Sequence, residues 1–208
     1  MDNVLDPVLF ATTLATLLVI QDPAGAIPIF LSLTSRQTPQ ERRASARQAT
    51  AVSFGVITVF AVFGRYILQF LGISVPALQL SGGLLLLMVA IELLTGKTDE
   101  SPDPDAVRVN VALVPLGTPL LAGPGAIVAA MVAVESSGGA FSGWIAVGAA
   151  VLVAHLVIWL TLRFSMVLNR LLRDSGITLL TRIAGLLLAA IAVQMVADAV
   201  FAFIAQEL

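Results

Sequence analysis

Apolar residues in this chain come in long runs, and the polar residues gather in the short gaps between them. Six runs reach the about 20 residues a helix needs to cross a bilayer: Val8–Leu33, Ala49–Leu71, Val75–Leu94, Val109–Val134, Gly143–Phe164 and Leu179–Phe203. Helix-start chemistry marks several of their ends. Thr38-Pro39-Gln40-Glu41 supplies an N-cap, a first-turn proline and a capping-box glutamate, so the second helix is predicted to begin in the polar loop before it enters the membrane. Ser74-Val75-Pro76 is a further start, two residues after Gly72 closes the preceding helix. The stretch Thr95–Asp105, with Gly96, Pro102, Pro104 and four acidic residues, is a polar connection.

Two of the six runs are interrupted. Asp22-Pro23-Ala24-Gly25-Ala26-Ile27-Pro28 falls in the first, and Gly117-Thr118-Pro119-Leu120-Leu121-Ala122-Gly123-Pro124-Gly125-Ala126-Ile127 in the fourth. Proline lacks a backbone donor and clashes with the preceding turn, and glycine leaves the backbone unconstrained. In lipid, the polar groups freed in this way must be satisfied within the protein or by water or ligand. Paired interruptions in corresponding halves point to a transporter's binding site.

Composition removes the competing classes. Hydrophobic residues make up 58% of the 208 and charged residues 12%, against about a quarter charged in a typical soluble domain. A net charge of −2 argues against a nucleic-acid partner, which calls for a basic patch. Cysteine is absent and His155 is the single histidine, so neither a thiolate site nor a multi-histidine metal site is available. No nucleophile, phosphate-loop or zinc-protease motif is legible, and the chain is not expected to be an enzyme or to hold a cofactor. Met1-Asp2-Asn3 lacks the basic leader of a secretory signal and reads as the approach to the first span.

Basic residues set the orientation. Arg36, Arg42, Arg43, Arg47, Lys97, Arg108, Arg163, Arg170, Arg173 and Arg182 all fall on one side of a six-span arrangement, and only Arg65 lies toward the other. That side is the cytoplasmic one, which puts both termini outside the cytoplasm. The sequence also repeats itself. Gly83-Leu84-Leu85-Leu86 matches Gly185-Leu186-Leu187-Leu188, aligning Ala90 with Ala192 and Glu92 with Gln194, and Arg65-Tyr66 matches Arg163-Phe164. Three spans per half is an odd number, so the second half is inverted. The expected fold is all-α: a single polytopic membrane domain over 1–208 with six transmembrane helices in two inverted three-helix repeats. Repeat 1 covers 1–96, a linker 97–106 and repeat 2 covers 107–208, with helices 1 and 4 discontinuous.

A half-helix start inside the membrane has unpaired N–H groups and about half a positive charge, which suits a carboxylate. The half-helix ends before each break expose carbonyls for a cation or ammonium. A small zwitterion such as an amino acid meets both demands, and the substrate-binding candidates are Asp22, Pro23, Ala24, Gly25, Ala26, Thr118, Gly123, Pro124, Gly125 and Ala126. The plainer alternative is that these prolines and glycines only kink helices for packing. Asp22 is the one acid deep in a span; it meets a ligand or a coupling ion, or it caps the half-helix that follows. Gln21, Thr118 and Asn110 add polar contacts. Glu92 and its repeat partner Gln194 join Asp22 as ion-coupling candidates, against the reading of Glu92 as an interfacial acid paired with a loop arginine; Asp198 is read in the same way. His155 fits a packed histidine bonded to a neighbouring helix better than a proton relay.

The motifs around 22–34, 115–127 and 182–195 resemble the MarC family of bacterial and archaeal membrane proteins, also called UPF0056 or SnatA. The resemblance covers essentially the whole chain. It implies a six-span protein of the inner or archaeal cell membrane. Members called SnatA are described as ion-coupled transporters of small neutral amino acids such as glycine and alanine, and the family is grouped loosely with the LysE-type exporters. Two positions depart from its pattern: Asp22 stands where asparagine is frequent, and Gln79 where arginine is. The resulting expectation is a secondary transporter of small neutral amino acids, coupled to Na+ or H+, with the lipid bilayer, the solute and a second copy of the chain as partners. An exporter of another solute and a non-transporting scaffold are the alternatives.

Overall fold

A computed structural model describes residues 5–96 and 121–207, which are helical apart from short connections. The first run forms α1, Pro7–Gln21, and α2, Pro23–Leu33. Then come α3, Pro39–Leu71, and α4, Val75–Thr95. In the second half α5 spans Pro124–Ser136, α6 Phe141–Arg163 and α7 Ser165–Glu207. α1 and α2 together, α3, α4, α6 and α7 are each long and apolar enough to cross a membrane. At about 1.5 Å per residue, the 13 residues of α5 reach about 20 Å, short of the about 30 Å hydrocarbon layer. Asn110, Thr118, Lys97, Arg108 and the linker 97–106 lie outside the described residues.

Local chemistry explains the boundaries. At the head of α3 the Thr38 N–H donates to Glu41 Oε2 at 2.8 Å and the Glu41 N–H donates to Thr38 Oγ1 at 3.3 Å. This is the reciprocal capping the sequence predicts, and it starts the helix well before its apolar portion. Gly72 ends α3 at φ 67, and the Ile73 N–H reaches back to the Leu68 carbonyl, so glycine's freedom at positive φ is used here. Ser74 then caps α4.

Three boundaries differ from the hydropathy pattern. The first interruption is one residue wide: Asp22 alone leaves the helix, at φ 35 and ψ 75. Pro28 sits exposed inside α2 and does not end it, although it leaves the Ala24 carbonyl without its helical donor. The last helix starts not at Leu179 but at Ser165, with Arg173 (φ 55, ψ 173) as a joint; the charges of 165–182 hide a helical segment from a hydropathy window.

The most extensive packing joins α4 to α7, around Leu86, Ala90, Leu188 and Ala192. A Cβ on Gly83 would stand 3.0 Å from the Ala192 carbonyl oxygen, and one on Gly185 3.2 Å from the Ala90 carbonyl oxygen. Each glycine thus lets the backbone of the opposite helix come close. α2 packs on α6 and α7, and α5 packs on α3 and α4.

Candidate functional site

Both interruptions open onto one cavity of about 250 Å³. Gln21, Asp22, Gly25 and Ala26 line it from the first break, and Leu121, Gly123, Gly125 and Ala126 from the second. α4 adds Val89, Glu92 and Leu93, and α7 adds Thr181. Most of the wall is apolar, and its polar side chains are few: Gln21 and Asp22 at the first break, Glu92 near the end of α4 and Thr181 in α7. That composition suits a ligand with a small apolar body and charged ends. The volume lies below the about 300–1,000 Å³ of sites for drug-sized molecules.

At the first break the chain turns through Asp22 and enters α2 at Pro23, whose missing N–H is harmless in a first turn. The Ala26 N–H bonds the Asp22 carbonyl, leaving those of Ala24 and Gly25 as the free donors of the helix start. The Asp22 carboxylate lies beside them and beside the Thr181 hydroxyl. It makes no capping hydrogen bond, although the residue is 7% exposed. Both Asp22 Oδ2 and Thr181 Oγ1 are buried without a hydrogen-bond partner. A Cβ on Gly25 would run into Asp22 Oδ2 and would stand 3.0 Å from Thr181 Oγ1. Glycine therefore keeps open the space in which these two oxygens converge.

At the second break Gly123 takes the N-cap place in an extended conformation, with Pro124 first in α5. The N–H groups of Ala126 and Ile127 turn back to the Gly123 carbonyl at 3.0 and 3.2 Å, so Gly125 is left to offer its donor. A Cβ here would run into the end of the Leu86 side chain.

A buried polar chain behind the cavity ties the breaks together. Gln21 Nε2 donates to the Leu121 carbonyl at 3.1 Å and approaches His155 Nε2 at 3.5 Å. His155 Nδ1 is 2.7 Å from the Val151 carbonyl, which assigns the ring proton to Nδ1 and leaves Nε2 as an acceptor. Nε2 therefore also accepts from the Ser53 hydroxyl at 3.1 Å. Phe54 packs edge-on against the ring. His155 thus serves as a packed joint between α1, α3 and α6.

Of the sequence candidates, Asp22, Gly25, Ala26, Gly123, Gly125, Ala126 and Glu92 meet around the cavity. Pro23 and Ala24 form the first turn of α2 behind it, and Pro124 begins α5. Gln194 does not join them; its side chain donates to Asp198 Oδ1 at 2.7 Å on the same helix, exposed and away from the cavity. Thr181 and Ser53 are not among the candidates of the sequence, whereas Gln21 is expected to add a polar contact and His155 to be a packed histidine bonded to a neighbouring helix. A signal for Thr181 exists, since it stands four residues before Gly185 as Gln79 stands before Gly83.

Residues 8–204 match the model of the MarC family of integral membrane proteins. The chain is 34% identical to a UPF0056 membrane protein of Methanocaldococcus jannaschii, over 92% of this chain and 95% of the relative. It is equally 34% identical to the UPF0056 membrane protein of Aquifex aeolicus, covering 92% of each. With the UPF0056 membrane protein YhcE of Escherichia coli it shares 34% identity over 86% of each chain. No solved structure matches. The chain belongs to the MarC family and is a multi-pass integral membrane protein.

Proposed function

We propose that this protein is a secondary transporter of small neutral amino acids of the glycine and alanine kind across the cytoplasmic membrane. The observation that carries the reading is the convergence of both helix starts on one small cavity. There the free N–H groups at Gly25 and Gly125 receive the substrate carboxylate, while Asp22 and Glu92 face its ammonium. The apolar wall suits a small hydrophobic body between the charged ends. No covalent chemistry is involved and no bound cofactor is needed; a Na+ or H+ gradient drives the cycle, with Asp22 the group best placed to sense it.

The chain works as two inverted halves, three spans each, with both termini on the non-cytoplasmic side. The reciprocal Gly83–Ala192 and Gly185–Ala90 contacts support a two-fold relation between α4 and α7. Alternating access then follows from rocking one half against the other about the central cavity. Purified protein in liposomes is expected to take up labelled glycine or alanine saturably under an imposed Na+ or proton gradient. Uptake should be lost in Gly125→Leu, which would fill the cavity. Transport of a different solute would make the protein an exporter of another class, and binding and transport of nothing would favour a scaffold.

A further inference from the structure

The arginine-rich end of the bundle carries a second hollow, independent of the central cavity. α3 brings Arg42 and Arg43 to it, α6 ends on it with Leu162 and Arg163, and Phe164 and Met166 close its side; its volume is about 290 Å³. Among the described residues none that lines it is acidic. The partners of the guanidinium groups are weak ones. Arg42 Nη2 donates to the Thr34 carbonyl at 3.0 Å, but its Nε is buried with no partner. Arg163 sits over the rings of Trp159 and Phe164, 5.4 and 5.7 Å from their centroids. A buried guanidinium N–H without an acceptor is costly, and the fork geometry of arginine suits phosphate oxygens.

One helical turn deeper on both helices, from Arg43 to Arg47 and from Arg163 to Trp159, an open groove continues between α3 and α6. Arg47 stands at its mouth, and Ala51, Phe54, Leu152, Leu156 and Trp159 line it. Phe54, Leu152 and Leu156 remain 36%, 57% and 47% exposed, so the groove faces lipid. A cluster of cations with no acidic partner among the described lining residues therefore stands one helical turn above an apolar groove directed along the membrane normal. We propose that this is the seat of an anionic phospholipid. Its phosphate lies among Arg42, Arg43 and Arg163 and one acyl chain lies in the α3–α6 groove. The placement agrees with the positive-inside end, because the cytoplasmic leaflet is where anionic lipids attract basic groups.

The test uses delipidated full-length protein in detergent. Phosphatidylglycerol, phosphatidylcholine of the same acyl chains, or inorganic phosphate is added back, and bound lipid is read by native mass spectrometry and the unfolding midpoint by thermal shift. Phosphatidylglycerol should be retained in preference to phosphatidylcholine. That preference should fall about fivefold for each arginine removed in Arg43→Gln and Arg163→Gln, and about twenty-fivefold in the pair. Arg65→Gln, at the opposite end, should leave it unchanged. Ala51→Trp fills the groove without touching the arginines and should lower phosphatidylglycerol retention severalfold. Equal retention of both lipids, or an undiminished preference in the arginine pair, overturns the proposal. A stabilisation reproduced by inorganic phosphate and indifferent to Ala51→Trp also overturns it, by assigning the hollow to a free anion.

Discussion

Gly25→Ala separates the site from the scaffold. A methyl group there would occupy the place of Asp22 Oδ2 and press on Thr181 Oγ1, so the carboxylate must swing away from the cavity. Three terms set the effect on stability. Alanine is favoured over glycine in a helix by about 0.5–1 kcal/mol. Forcing the Asp22 side chain off its rotamer costs about 0.5–1.5 kcal/mol. No capping bond is lost, because none is formed. The terms nearly cancel, and the unfolding midpoint should move by less than about 4 °C.

Transport is another matter, since the methyl also covers the Gly25 N–H. Loss of one hydrogen bond to a charged group, about 1.5–3 kcal/mol, weakens substrate affinity roughly ten- to a hundredfold. Liposome uptake of glycine against concentration, beside thermal unfolding of the same preparation, reads both quantities. Gly55→Ala is the control, because nothing lies within 4 Å of a Cβ at that position. Wild-type KM in Gly25→Ala would refute the reasoning, and a collapse of stability would show that the glycine serves packing instead.

Gly83→Ala and Gly185→Ala each press a methyl onto a carbonyl of the opposing helix; each should lower stability by about 1–3 kcal/mol, and unequal effects in chemical unfolding would count against a two-fold-related pair. Ser53→Ala should cost about 1 kcal/mol by removing the donor to His155 Nε2. Combined with His155→Phe it should be less than additive by at least about 0.5 kcal/mol, and strict additivity would deny the bond. The chain has no cysteine, so Ser35→Cys and Ile73→Cys report sidedness directly. In intact cells an impermeant thiol reagent should label Ile73→Cys and spare Ser35→Cys, and the reverse pattern would invert the topology.

The spans and most helix starts are legible in the sequence because they are local or demanded by lipid. A bilayer forces backbone hydrogen bonds into helices, and the Thr38–Glu41 box is written within four residues. The joint at Arg173 and the segment before it are less visible, since charges at 170, 173, 174 and 182 break the apolar run while leaving the backbone free to be helical. Of the polar chain behind the cavity, a bonded His155 and a polar contact at Gln21 are legible, but their partners are not. Gln21, Ser53 and His155 come from three helices, 32 and 102 residues apart along the chain by their numbers, and only their tertiary register makes them neighbours. Thr181 is intermediate: its repeat position can be counted, but its hydroxyl over Gly25 depends on how α2 docks on α7.

The two breaks share a backbone plan and differ in the residue just before the proline. Gly123 precedes Pro124 in the extended conformation that any residue adopts before proline. Asp22 precedes Pro23 in the left-handed region, at a cost of about 1–2 kcal/mol for a residue with a Cβ. The glycine thus stands where none is required, and a carboxylate stands where glycine would be relaxed. Asp22 also leaves Oδ2 buried without a hydrogen-bond partner among the described residues, a second cost. On the proposed transport reading, the side chain is kept for the substrate or the coupling ion. Asp22→Gly should therefore raise the unfolding midpoint, by an amount corresponding to at least about 1 kcal/mol, while abolishing coupled uptake. Asp22→Asn, which keeps the shape and removes the charge, separates coupling from binding: substrate still binds, and the imposed gradient no longer drives accumulation. A lower midpoint in Asp22→Gly would mean that the carboxylate holds the two half-helices together, and its place in the transport cycle would be lost.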